Sequence, residues 1–110
     1  MIHMLSAFDL KPGVEFGAFQ TAYAAFISDI REAGIIEDAG PLGERVADTP
    51  MDTDAEEAQE FYAIMSFKDR EQLDRSYALL TDTAENQSTS HPAVMRAVKN
   101  AVFTCWRDME

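Results

Sequence analysis

The sequence predicts an α+β fold: a four-stranded antiparallel sheet with two long helices on one face. Three observations carry this. Ile2–Leu10 and Phe61–Phe67 alternate with a two-residue period and are apolar on both sides. Two other stretches repeat apolar residues every three or four positions, so the order reads strand, helix, strand, strand, helix, strand. A chain of 110 residues has room for one modest core, so these elements belong to a single domain over 1–110.

In the first strand Ile2, Met4, Ser6 and Phe8 share one face, and His3, Leu5, Ala7 and Asp9 the other. Lys11-Pro12-Gly13 is a turn: proline fixes φ at its second position and glycine permits positive φ at the third. Phe16, Phe19, Tyr23, Phe26, Ile27 and Ile30 then form the apolar stripe of a long helix, with Gly34 placed as its C-terminal cap. This aromatic stripe reads as core packing.

Asp38–Ala47 reads as an edge strand, because Pro41 cannot donate to a central ladder. Asp48–Ala58 holds five acidic residues and no basic one, and reads as a solvated, mobile connection. It lacks the glycine and ligand spacing of a calcium loop.

Phe61, Ala63, Met65 and Phe67 share one face of a central strand, and Tyr62, Ile64 and Ser66 the other. Asp69 ends this strand and caps the second helix, with Gln72 three residues on in a capping-box-like pair. Leu73, Tyr77 and Leu80 return to cover the sheet. Thr81–Ser90 reads as a surface loop. His91-Pro92-Ala93-Val94 starts a short helix on which Val94 and Val98 share a face, and Asn100 ends it. Ala101–Asp108 is the last strand, with Phe103 and Cys105 opposite Val102, Thr104 and Trp106.

Composition removes several functions. The apolar share of 46 % is that of a folded protein, which sets disorder aside. A formal charge of −11 speaks against nucleic acid and anionic membranes, both of which need clustered Lys and Arg. The single cysteine, Cys105, cannot form an internal disulfide or a cysteine-based zinc site; in its apolar run it reads as a buried thiol. No basic leader and no span of about 18 apolar residues is present, so the expectation is a cytoplasmic protein.

The element order is the ferredoxin-like βαββαβ layout. A lone sheet of this kind has one wet face, yet here several strands are apolar on both sides. The expected partner is therefore a second copy of the chain, packed against the open sheet face as a homodimer.

Three segments carry a family resemblance. Strand one ending in Asp-Leu-Lys-Pro-Gly, the Phe-Tyr-Ala-Ile-Met-Ser-Phe-Lys-Asp junction, and His91-Pro92-Ala93-Val94 together resemble the dimeric α+β barrel superfamily, in a small uncharacterised bacterial branch. The resemblance implies two sheets packed face to face into a barrel, and a small-molecule pocket in each protomer. Relatives include cofactor-free monooxygenases, haem-degrading enzymes, lactone isomerases and stress-responsive proteins, so the fold alone does not select a chemistry. Stress-responsive relatives often carry His-Pro-x-His; here Val94 stands where the second histidine would be.

The catalytic candidates are therefore His3 and His91, since imidazole is the side chain suited to acid–base work. Each has a structural reading beside it: His3 as a satisfied sheet residue, His91 as a helix cap. Ser6, Tyr62 and Trp106 are candidates to line a pocket, as aromatic or small surface with a polar handle. No metal site and no cofactor is expected. Two functions stand. In one, a homodimer binds a small apolar organic molecule and acts on it as a cofactor-independent monooxygenase or isomerase. In the other, a solidly packed barrel serves as a non-catalytic structural or interaction module.

Overall fold

The structure, a computed structural model, describes residues 1–81 and 91–109. Its elements are β1 (Ile2–Leu10), α1 (Phe16–Glu32), β2 (Asp38–Ala39), β3 (Gly43–Glu44), β4 (Phe61–Phe67), α2 (Arg70–Thr81), α3 (His91–Ala97) and β5 (Val98–Arg107). All strand pairs are antiparallel, in the order β2-β4-β1-β5, with β3 also on β4. This is the ferredoxin-like arrangement, and within one chain the sheet remains open. The extents of 43 × 41 × 19 Å give a slab one sheet and one helix layer thick.

Local chemistry places each boundary. The Val14 N–H donates to the Lys11 carbonyl at 3.1 Å, closing the turn in which Gly13 takes φ +86°. Helix α1 ends in a Schellman pattern: Ile35 N–H reaches the Ile30 carbonyl, Gly34 N–H reaches that of Arg31, and Gly34 sits at φ +73°. At the start of α2, the Gln72 N–H donates to Asp69 Oδ1 at 2.9 Å. The Gln72 side chain returns to the Lys68 N–H at 2.6 Å, one residue earlier than a regular capping box.

The core lies between sheet and helices. Phe19, Phe26 and Ile30 of α1 meet Phe8, Ala63, Met65 and Phe67, with Ile35, Ile36 and Val94 closing the ends. Of the α1 stripe, Phe19, Phe26 and Ile30 are buried, whereas Phe16 at its start is 41 % exposed and stacks on Phe61.

Four expectations are corrected. The edge strand is two short pieces, β2 and β3, and the register against β4 slips by one residue between them, where Pro41 supplies no N–H. The 48–58 connection is an ordered loop gathered around Arg45, a residue outside the acidic stretch. Arg45 forms a two-point pair with Asp52 (2.8 and 2.7 Å) and also donates to the carbonyls of Asp54 and Glu57. The short helix ends at Ala97 and β5 begins at Val98. Asn100 lies inside that strand at φ +54°, at a slip in the β1–β5 register. Cys105 is exposed, since β5 is an edge strand and its outer half lies beyond the helix layer. The expected loop over 81–90 falls, apart from Thr81 at the end of α2, outside the described residues.

Candidate functional site

Strand pairing sets the two faces row by row. On the helix side the rows are Met65–Met4–Cys105 and Ala63–Ser6–Phe103. On the open side they are Ser66–His3–Trp106, Ile64–Leu5–Thr104 and Tyr62–Ala7–Val102. Two groupings follow, one on each face.

On the helix side a cavity of about 410 Å³ opens between sheet and helices. Its floor is Met4, Ser6, Ala63 and Phe103, and its walls include Phe19, Tyr23 and Phe26 of α1 and Leu73 and Ser76 of α2. His91 and Val94 of α3 close one end. A ligand cavity of ordinary size is roughly 300–1,000 Å³. Among the described residues no Asp, Glu, Lys or Arg lines it; its polar side chains are Ser6, Tyr23, Ser76, Tyr77 and His91.

Burial tunes these groups. The His91 ring lies 5.3 Å from that of Phe26, and burial lowers its pKa, so the imidazole is neutral at pH 7. Burial raises the Tyr23 phenol, which therefore stays protonated; its oxygen is buried with no hydrogen-bond partner among the described residues. Tyr77, expected to cover the sheet, is 71 % exposed and stands at the cavity mouth.

On the open face His3 bridges two strands. Its Nε2 lies 2.8 Å from Asp108 Oδ1 and its Nδ1 2.7 Å from Ser66 Oγ, with the Trp106 ring 5.2 Å away. The hydrogen bond from His3 holds the Asp108 carboxyl below the usual carboxylate range. An ionised Asp108 accepts a hydrogen bond from Nε2–H, which in the neutral ring leaves Nδ1 to accept from the Ser66 hydroxyl.

The structure thus separates the candidates read from sequence. Ser6 and His91 meet at the cavity. His3, Tyr62 and Trp106 lie on the opposite face. Sequence reasoning passed over Ser76 and Tyr23 as site residues, and it missed the Ser66–His3–Asp108 chain. Ser76 carried a signal: it falls between Leu73 and Leu80 at helical spacing, a hydroxyl within an apolar stripe. The Asp108 contact carried none, since it joins positions 105 residues apart. Among the described residues no group of three or more His, Cys, Asp or Glu is placed to hold a metal. No helix among them is long and apolar enough to cross a membrane.

A ferredoxin-like sheet with a helix layer on one side and an open face on the other is the fold of this chain. The chain belongs to a family of unknown function, DUF6614, whose model matches residues 1–110. Similar solved structures share the fold at low identity. A crystal structure from Arabidopsis thaliana has TM-score 0.72 at 11 % identity, covering 100 % of this chain and 97 % of that one. SnoaB, a cofactor-independent oxygenase from Streptomyces nogalater, has TM-score 0.66 at 9 % identity, covering 99 % and 93 %. A dimeric ferredoxin-like protein of unknown function from Jannaschia sp. CCS1 has TM-score 0.68 at 11 % identity, covering 97 % and 98 %. No curated protein matches the chain.

Proposed function

We propose that this protein is a homodimer whose protomers each bind a small, mostly apolar organic molecule in the cavity under the helices. It acts on that molecule with its own side chains, by proton transfer or oxygenation. The observation that carries the reading is the cavity: about 410 Å³ of apolar space with only a few polar groups in its wall. A solidly packed interaction module would have no such space, since protein interiors close voids of this size. His91 is the acid–base group of this reading, because burial keeps its imidazole neutral and able to accept a proton.

The dimer rests on a separate observation. Ile64, Val102 and Trp106 are each about two-fifths exposed on the open face, beside Leu5 and Tyr62. A second copy laid on this face removes them from water, and stable interfaces bury roughly 800 Å² per partner. Relatives of the same fold are described as dimeric. The cavity lies on the other side of the sheet and stays available in such a dimer. The acidic composition is in keeping with a cytoplasmic setting for this dimer.

The test is uptake of N-phenyl-1-naphthylamine, an uncharged apolar fluorophore. We expect saturable binding at one site per protomer, lost when Ala63→Phe or Ala101→Leu fills the cavity without changing the far-ultraviolet circular dichroism. Binding that never saturates, or that both filled variants retain, overturns the reading.

A further inference from the structure

We propose that the cavity selects an uncharged molecule carrying a hydrogen-bonding oxygen of the ketone class, received by the hydroxyls of Ser76 and Ser6, and that it rejects carboxylates and phosphates. This rests on the preceding reading of the cavity as a ligand site and specifies the chemistry of its occupant.

Two serine hydroxyls line the cavity beside the phenols of Tyr23 and Tyr77. Ser6 stands in the floor, in the row between Ala63 and Phe103. Ser76 stands in the α2 wall and is 3 % exposed. Each can donate to an oxygen placed in the cavity, and the Tyr23 hydroxyl, buried with no partner among the described residues, lines the same space. A ligand oxygen that accepts a hydrogen bond from one of these serines binds more tightly than a hydrocarbon of the same shape, which leaves the hydroxyl unused. Apart from Tyr23, Tyr77 and His91, the rest of the wall is Met, Phe, Leu, Val and Ala, which sets most of the molecule as apolar.

The charge of the ligand follows from the groups that are missing from the wall. No Lys or Arg lines the cavity among the described residues, and the sequence of 82–90 contains neither. His91 is neutral by burial. An anion entering this space would leave water with no cation to receive it, a transfer that is prohibitive in an apolar interior. The formal charge of −11 on the chain adds a repulsive field at the mouth. A ketone oxygen needs only donors, and serine hydroxyls supply them.

Three naphthalenes of one shape separate these terms: 2-acetylnaphthalene, 2-isopropylnaphthalene and 2-naphthoate, each measured by displacement of N-phenyl-1-naphthylamine at pH 7. We expect the ketone to bind at least fivefold more tightly than the hydrocarbon, and the carboxylate at least tenfold more weakly than the ketone. Ser76→Ala should bring the ketone down to the hydrocarbon's affinity while leaving the hydrocarbon unchanged; Ser76→Thr should restore the preference, and Ser6→Ala should reduce it. Equal binding of ketone and hydrocarbon in the wild type, or carboxylate binding as tight as ketone, overturns this inference and leaves the apolar pocket standing. Failure of the fluorophore and all three naphthalenes to bind overturns the pocket as well.

Discussion

His3 and Ser66 are hydrogen-bonded across the β1–β4 pair, Nδ1 to Oγ at 2.7 Å, although 63 residues separate them in the chain. Asp108, at the end of β5, holds the other ring nitrogen. One imidazole thus fastens three strands at one end of the open face. The same three residue types form nucleophile, base and orienting acid in hydrolases, but here the strand amides around Ser66 are engaged in the sheet ladder, on both sides of β4. The arrangement is a clamp that sets the sheet edge against which Trp106 packs.

The clamp has a pH signature. Asp108 is held below the ordinary aspartate value by the hydrogen bond from His3, so its ionised form is favoured in the folded chain. A depressed carboxylate contributes stability that is present above the unfolded value, about 3.9, and is lost as pH falls through the lower folded value. We expect Asp108→Ala to lower the thermal midpoint at pH 7 and the gap to wild type to narrow at pH 3. Scanning calorimetry at fixed protomer concentration measures both; a gap of equal size at the two pH values contradicts the assignment.

Adjacent residues on β4 should respond in opposite ways to the same charge. Ile64 is 40 % exposed on the open face, and Met65 is 7 % exposed in the core. Ile64→Asp should give a folded monomer by sedimentation equilibrium. Met65→Asp buries an unpaired carboxylate and should destabilise the fold by about 3–5 kcal/mol in urea unfolding. A wild type that sediments as a compact monomer at micromolar concentration removes the dimer.

Arg45 should control the 48–58 loop. The Arg45 pair depresses Asp52, and the N–H groups of Glu56 and Glu57 are bonded to Asp54 Oδ1 at 3.0 Å each. Arg45→Ala removes the centre of this arrangement. Hydrogen exchange at 54–57 should accelerate at least tenfold and trypsin-independent proteolysis should shift into the loop, with little change in global stability. Unchanged exchange in the variant shows that the loop folds on its own aspartate turns.

Gly34 offers a test of backbone conformation alone. Its φ is +73°, and a Cβ built there meets nothing within 4 Å, so any effect of substitution is conformational strain. Gly34→Ala should cost about 1–2 kcal/mol of stability, and Gly34→Asn less, because asparagine tolerates this region. Fluorophore binding per folded protomer should be unchanged in both.

Element type and order were legible in the sequence because they depend on short-range periodicity. The alternation through Ile2–Leu10 and Phe61–Phe67, the stripe from Phe16 to Ile30, and the Gly13 and Gly34 positions each express a steric or solvation rule acting over a few residues. The apolar character of both sheet faces was legible for the same reason, and with it the expectation of a second copy.

Which face would be which was decided only by pairing and helix placement. A two-residue period says that Ser6 and His3 face apart, but not which of them looks toward helices, because both parities are apolar. The helices docked over the parity that holds Ser6 and Ala63, where Phe19, Phe26 and Phe67 could be buried together, and so Ser6 joined His91 at a cavity while Tyr62 and Trp106 were left outside it. Cys105 shows the same limit: its apolar run marks a strand, but an edge position at the end of the helix layer leaves the thiol exposed. Sequence by itself determined the elements and their amphipathic surplus, which are local properties of the chain. Tertiary structure alone decided the joining of His3 to Ser66 and Asp108, and the volume left open beneath the helices, because both arise from distances between elements that no local pattern encodes.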